Sequence, residues 1–559
     1  MFAAFSFLGR GARSWKWQPA RLAALLDSRW APAVLGLVTI AAVRFVWRSF
    51  AEPGVIHDER AYLLQAEIFA RGRWTAPAPP IAAFFEQMHV FVEPAVFAKY
   101  PPAHAMMLVP GIWLGMPGLI PALNMGLAAA LTFWLARRLS NAWTALLTWM
   151  LWTTAPVTLV WATSYLSEST TTVMWLAAGS ATVLWLESGK QLYLVGVAAA
   201  IAWGYDARPL TMLALAAPIG FLIVRRLIAA GRWRTAAVPA LVATTLLALG
   251  PLWNHHTAGD WRVDPYPLYS QTYFPFDKPG FGIDPTPPLR PVPAELLPMD
   301  AWSREVHQIY VPSAVPLAFV QRVLALVAAY SFGWRFAIGA LLLGSLIRAP
   351  GAARLILAAS GALFTAYLAF AHPPGWVVYY FELLPALHFL AAIGLVRLLG
   401  QSRDGIPDRG TQMWAPIARS SAVAALLLLP FCLSDLARVR AAIDARNEFH
   451  RRADQVIRAA PANSIVFVRY PASHNPHLAV TRNEVDLASA RSWVVYDRGA
   501  ENARLLSFAP DRRPYVLDAS TLRLEPMPLT DVQARRRDGG VSSPSAISSS
   551  LASSAAKPH

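Results

Sequence analysis

Residues 55–74 read VIHDERAYLLQAEIFARGRW. They follow the first long apolar run, 31–50, and set His57, Asp58, Glu59 and Arg60 side by side where a membrane helix ends. Ionisable side chains are expensive beside hydrocarbon, so a cluster at the mouth of a span marks function by default. From 59 to 70, Ala61, Leu64 and Ile68 recur at helical spacing, with Tyr62, Ala66 and Phe69 beside them. This pattern predicts an amphipathic helix lying along the membrane. The run APAPP (76–80) breaks it, and FFEQMHVFVEPAVFAKYPPAH (84–104) leads the chain back to the bilayer.

The composition supports this reading. Of 559 residues, 55% are hydrophobic and 15% charged, and the mean hydropathy is +0.38. Soluble domains carry about 25% charged residues. The 22 Trp often sit near the ends of apolar runs, where indole favours the interface. A span needs about 20 apolar residues. Runs at 31–50, 118–136, 142–162, 168–186, 191–205, 209–224, 236–254, 332–347, 354–371, 383–399 and 416–434 give about eleven spans. Runs 105–115 and 316–330 are short or interrupted by Arg322, and are placed as helices in the interface. The N-terminus has no small-residue cleavage site after an apolar core, so it reads as a retained tail. Cys432 is the only cysteine, which excludes an intrachain disulfide.

With residues 1–30 in the cytoplasm, basic residues collect on that side, among them Arg137, Arg138, Arg225, Arg226, Arg232 and Arg234. The only acids there are Asp27, Glu187, Asp404 and Asp408, while acids outnumber bases in the outer segments. The net charge of +16 is therefore the positive-inside bias of a membrane protein rather than a nucleic-acid surface. Loops 51–117 and 255–331 fall outside, as does everything after 434. Within 435–537, a helix over 439–460 and strands at 464–470, 492–497 and 514–519 predict a small α/β domain on the outer face. Residues 538–559 are low-complexity and read as a disordered tail.

The candidate chemistry lies on the outer face. Asp58 reads either as the N-cap of a helix starting at Glu59, worth ~1 kcal/mol, or as a carboxylate suited to proton transfer beside apolar surface. Lys99, in KYPPAH, is either a snorkelling lysine or a phosphate contact. Glu168 lies in the short connector SYLSES, and Arg208 in DARPL is a basic residue where Arg is disfavoured. Its bland reading is a salt bridge to Asp206 or Glu168. HPPGWVVYYFELLP (372–385) adds His372, Tyr379, Tyr380 and Glu382. There is no phosphate-binding glycine loop, dinucleotide fingerprint, CxxC or HExxH. Activated nucleotide sugars are cytoplasmic, so an outward-facing transferase needs a lipid-anchored donor.

The motifs IHDERAYLLQAEIFARGRWTAPAPP, KYPPAH, SYLSES, RPLT (208–211), DPYPLYS…DKPGFG (264–282) and YYFELLPAL (379–387) occur in this order. The set resembles the bacterial GT-C glycosyltransferases of the protein-mannosyltransferase type, related to the lipid A aminoarabinose and rhizobial galacturonosyl transferases. The resemblance covers about residues 31–434. It implies a mainly α, polytopic GT-C fold, a polyprenyl-phosphate sugar donor, inversion at the anomeric carbon, and a glycolipid, glycan or protein acceptor. It places the catalytic carboxylate at Asp58, followed by Glu59, and matches Arg208 and Glu168 to the family's basic residue and second-loop acid. Together with the residue reading, the donor phosphate falls to Arg208 and Lys99, and acceptor or orienting roles to Glu168, His104, Tyr380 and Glu382. The aminoarabinose type carries a Glu-Lys pair before its Pro-Pro, the Glu being a metal-ligand candidate. Here Lys99-Tyr100 precedes Pro101-Pro102, so a divalent metal has no matching ligand motif. The expected location is the bacterial inner membrane, with the active site and C-terminus periplasmic. The competing reading is a polyprenyl-lipid or glycolipid flippase, which would place polar groups at mid-bilayer and show internal repeats.

Overall fold

A computed structural model describes residues 19–330, 351–400, 414–471 and 474–527. The apolar run at 332–347, most of the N-terminal tail and the segment 538–559 lie outside the described residues. The chain is mainly helical. Among the described residues six helices are long and apolar enough to cross a membrane, or seven if one bent pair counts as a single span. Shorter apolar helices are Ala31–Val46, Gln191–Tyr205 and Leu357–Ala369. These observations define a multi-pass membrane protein.

Local sequence sets the helix boundaries. Asn141 Oδ1 accepts from the backbone N–H of Trp143 and Thr144 at 3.0 and 2.9 Å and starts Ala142–Thr153. Pro156 opens the next helix, Pro156–Ala162, at a 62° bend. Helices Ala31–Val46 and Leu119–Leu139 meet at glycines: a Cβ on Gly126 would fall 2.5 Å from Ile40 Cγ1, and one on Gly36 would fall 2.7 Å from the Gly126 carbonyl oxygen. Small residues allow this backbone approach between apolar helices.

Two expectations change. Helix Val315–Tyr330 belongs to a stretch, Pro312–Ala329, long and apolar enough to span. Arg322 does not bar it. The guanidinium is fully buried and donates to the carbonyls of Tyr367, Phe370 and His372 at 2.9, 3.0 and 3.3 Å. The expected break between a span at 416–434 and a helix at 439–460 is also absent. Trp414–Ala459 is one helix of 46 residues, roughly 70 Å long at 1.5 Å per residue. That exceeds the bilayer core, so its second half projects beyond it. There Arg446 donates to the Thr163 carbonyl at 2.8 Å, and Arg451 pairs with buried Glu52 at 3.3 Å.

The first loop, 51–117, holds helix His57–Ala70 and a small antiparallel sheet of β1 (Ala76–Pro77), β2 (Val90–Phe91) and β3 (Ala95–Ala98), in the order β1-β3-β2. After the long helix come β4 (Ser464–Arg469), β5 (Ser492–Tyr496), β6 (Arg513–Asp518) and β7 (Arg523–Pro526), ordered β5-β4-β6-β7. β4 pairs in parallel with both β5 and β6, and β7 is antiparallel to β6. The three expected strands are present and β7 is additional. One face of this sheet takes Phe84 and Phe85 of the first loop against Ile465, Phe467, Trp493 and Val495. The sheet is thus packed on the loop that carries Asp58.

Candidate active site

Helix His57–Ala70 begins one residue before Asp58, after Ile56 in extended conformation, so Asp58 is not its N-cap. Glu59 serves that end instead. One oxygen accepts from the backbone N–H of Val55 at 2.6 Å and Ile56 at 3.2 Å, and the other from Tyr165 N–H at 3.2 Å. With Glu59 engaged and 2% exposed, the carboxylate that faces a cavity is Asp58.

The Tyr100 hydroxyl donates to Asp58 Oδ1. His57 Nε2 lies 3.1 Å from Oδ2, and His89 Nε2 lies 3.7 Å from Oδ1. Burial works against the charge, but His57 and His89 with the hydrogen bonds from His57 and Tyr100 hold Asp58 well below the usual carboxylate range. The hairpin that supplies His89 is fixed by a hydrogen bond from its backbone N–H to the Tyr269 hydroxyl at 2.9 Å. Burial, then repulsion from Lys99, moves His89 well below its ordinary value, and Asp58 opposes that shift.

Lys99 follows β3 and is 2% exposed. Its Nζ sits 4.4, 5.1 and 5.5 Å from the ring centres of Tyr266, Tyr269 and Tyr100. It has no ion-pair partner among the described residues. Burial lowers its pKa, and Asp277 and Asp58 partly restore it. A cation held by aromatic faces rather than by a carboxylate is free to receive an anion. Asp58, Lys99 and Tyr100 share a cavity of about 120 Å³. Tyr266, Trp302 and Tyr379 form other parts of its wall, and so does His477 from beyond β4. His477 stacks on His57 with centroids 4.2 Å apart.

Arg208 stands behind this wall. It donates to Glu168 Oε1 at 2.6 Å, approaches Glu382 Oε1 at 3.5 Å, and donates to the Tyr367 hydroxyl at 3.2 Å. Thr171 donates to the same Glu382 oxygen. Its guanidinium lies 5.9 Å from the ring centre of Tyr379, whose ring also lines the cavity. Tyr62 links the two groups, stacking on Tyr100 at 4.5 Å and donating to Ser167 Oγ at 3.3 Å. Of the bland readings for Arg208, the bridge to Glu168 is present.

The structure therefore brings Asp58 and Lys99 into one cavity and joins Arg208, Glu168 and Glu382 into a second polar cluster next to it. His104 and Tyr380 do not line the cavity but pack behind it, His104 edge-on to Tyr62 at 4.7 Å and Tyr380 edge-on to Tyr367 at 5.9 Å. Both ring nitrogens of His104 are engaged, by Thr170 Oγ1 and the Tyr165 carbonyl, each at 2.8 Å. The Tyr380 hydroxyl meets His372 Nε2 at 3.2 Å, and its ring stacks on Phe364. Sequence reasoning missed His89, Tyr100, Tyr266 and His477. Lys99-Tyr100 and DPYPLYS carried a signal for the tyrosines, whereas His477 lies in an irregular segment with none.

His57, Asp58 and His89 each offer a donor atom within 4.8 Å of the others. Two imidazoles and a carboxylate suit a zinc-like cation with an open position. The trio is thus a set of donor atoms that could hold such a cation, at a position different from the Pro-Pro motif.

No family model and no curated protein matches the sequence. Among solved structures the fold is similar to that of ArnT from Cupriavidus metallidurans bound to undecaprenyl phosphate. The TM-score is 0.51 and the identity 16%, over 88% of this chain and 91% of that one. ArnT in the apo state gives 0.50 and 16%, over 87% and 92%. The chain has the GT-C fold that its motif order implied.

Proposed function

We propose that the protein is an inverting glycosyltransferase that moves a sugar from a polyprenyl-phosphate donor to an acceptor at the periplasmic face of the bacterial inner membrane. One observation carries the reading: an anionic carboxylate, Asp58, and an unpaired buried cation, Lys99, share one cavity at the membrane edge, in a chain with the fold of ArnT.

Lys99 contacts the donor phosphate, while Arg208, paired with Glu168 and Glu382, supports the Tyr379 side of the cavity wall. The acceptor oxygen forms a bond to the anomeric carbon as the bond from that carbon to the phosphate oxygen breaks. The electron pair leaves on the polyprenyl phosphate, where Lys99 stabilises it. The depressed pKa of Asp58 makes it a weak base. It orients the acceptor hydroxyl and receives the proton late, when the attacking oxygen has become acidic. A divalent cation held by His57, Asp58 and His89 would neutralise phosphate charge when bound.

The inner membrane, the cytoplasmic N-terminus and the outer location of the cavity rest on the positive-inside bias. Eleven crossings is the reading of the sequence, and the described residues supply six spans, or seven with the bent pair, together with shorter apolar helices. The segment 435–537 acts as a brace on the first loop. The test is Asp58→Asn with Asp58→Ala, read as transfer of labelled sugar in membranes and as glycolipid masses from a deletion strain complemented with each variant. Both variants are expected to insert normally and to lose at least 100-fold in transfer. Near wild-type transfer in both removes Asp58 from the mechanism.

A further inference from the structure

The DARPL connector contains a second acid that the proposed reaction does not use. Arg208 bonds to Glu168, not to Asp206. Asp206 is 4% exposed, its Oδ2 has no hydrogen-bond partner, and no cation pairs with it among the described residues. Burial pushes Asp206 up to about 7, so near neutral pH the acid is poised between its two forms and a cation beside it would hold it ionised.

Asp206 lines a cavity of about 530 Å³ between helices Gln191–Tyr205, Pro209–Ala229 and Ala237–Leu247, with Leu249–Ala258 closing one end. This volume lies in the usual range for a small-molecule site. The cavity shares no wall residue with the one that holds Asp58. Its position is built. The Asp206 backbone carbonyl accepts from Ala103 N–H at 3.0 Å, which fixes the connector against the Pro101-Pro102 turn. Gly250 leaves the carboxylate room, because a Cβ there would stand 3.2 Å from Asp206 Oδ1.

The walls define the ligand. Asp206 and Asp264 are the charged lining residues, and there is no Lys or Arg among them. Asp264 is committed to the N-terminus of Pro265–Tyr273, accepting from Tyr266 N–H at 2.8 Å. Leu213 and Leu247 also line the cavity and are 53% and 38% exposed, so it opens onto the apolar belt. A phosphate has no partner in such a site, and a wholly apolar chain leaves the acid unpaired. We infer that this cavity is a lipid-accessible site for an amphiphile with a primary ammonium headgroup, which pairs with Asp206 while its alkyl chain lies along Leu213 and Leu247. The pairing restores the charge balance that burial denies the carboxylate.

The test uses purified full-length protein in maltoside detergent at pH 7, with radiolabelled dodecylammonium as probe in equilibrium dialysis. No sugar transfer is measured, so its outcome is independent of the transferase reading. The expected result is one saturable site per chain, weakened at least tenfold by Asp206→Asn and blocked by Leu213→Trp at the mouth. Dodecanol and dodecyl sulfate are expected to compete at least tenfold less well than unlabelled dodecylammonium. Should Asp206→Asn not fold, Leu213→Trp and the competition series still decide. Unsaturable partitioning, equal competition by dodecanol, or unchanged affinity in a folded Asp206→Asn protein overturns the inference.

Discussion

Replacing Arg208 with methionine tests whether this arginine holds the fold, the substrate, or both. The side chains of Arg208, Glu168 and Glu382 are 11%, 8% and 0% exposed. Oε1 of each glutamate lies within 3.5 Å of the same Arg208 nitrogen, so these two oxygens are at most about 6 Å apart. Without the cation, two carboxylates at that spacing resist joint ionisation, the repulsion being about 3 kcal/mol at an effective dielectric of 20 before a proton relieves part of it. Removing one partner of a buried ion pair costs about 3–5 kcal/mol. Arg208→Met is therefore expected to lower stability by about that amount, read as a shifted midpoint in denaturant titrations of the protein in detergent. Adding Glu168→Gln and Glu382→Gln removes the unpaired charge and is expected to restore most of the loss. If Arg208→Met melts with the wild type, or the triple variant is no better than the single one, the cluster does not carry the stability assigned to it. Transfer measured on the restored triple variant then shows whether Arg208 has any role beyond these ion pairs.

Other perturbations read the remaining parts of the site. Lys99→Met is expected to weaken binding of a polyprenyl-phosphate donor at least tenfold while leaving Asp58 hydrogen-bonded to Tyr100, checked by donor titration against folded protein. His477→Ala removes the ring stacked on His57 and is expected to raise diethyl pyrocarbonate labelling of His57, now 7% exposed, by several-fold in peptide mass spectrometry. His477→Phe keeps a ring there and is expected to restore protection. Burial pushes Glu86 up to about 7 in the folded chain, so folding favours its protonated form. Its contribution is intact below pH 4.5 and is lost as pH rises through about 7. Glu86→Gln is accordingly expected to raise the denaturation midpoint relative to wild type at pH 8 and to leave it unchanged at pH 4.

Periodic and compositional signals found the apolar helices, the first-loop helix and three strands of the outer sheet, because each is decided by residues close in sequence. Helix ends were less legible. Asp58 looks like an N-cap in isolation, but Glu59 reaches back to Val55 and Ile56 and so moves the start to His57. The choice between Tyr379 and Tyr380 depends on backbone phase. Tyr380 leaves helical geometry at φ −119° and ψ 16°, and it is Tyr379 that lines the cavity. His477 was invisible because it is brought to His57 by packing between segments some 400 residues apart, through Phe84 and Phe85 and the long terminal helix.

That packing explains why the site forms at the membrane edge. Asp58 stands on a short helix whose own apolar face is too small to fix it, and helix stability of this kind comes from tertiary contacts. Glu52 and Arg60, just before and within that helix, are tied to Arg451 and His450 of the 46-residue helix. Further along the first loop, Arg73 is tied to Asp486. The loop that carries Asp58 is thus clamped by the second half of helix Trp414–Ala459 and the segment that follows it. Within the membrane edge the charges divide into two sets: one is neutralised internally around Arg208, and the other leaves Lys99 unpaired. In the proposed reaction a donor phosphate would complete the second set without disturbing the first, so that a buried cation is left for binding while the neighbouring ion pairs hold the fold.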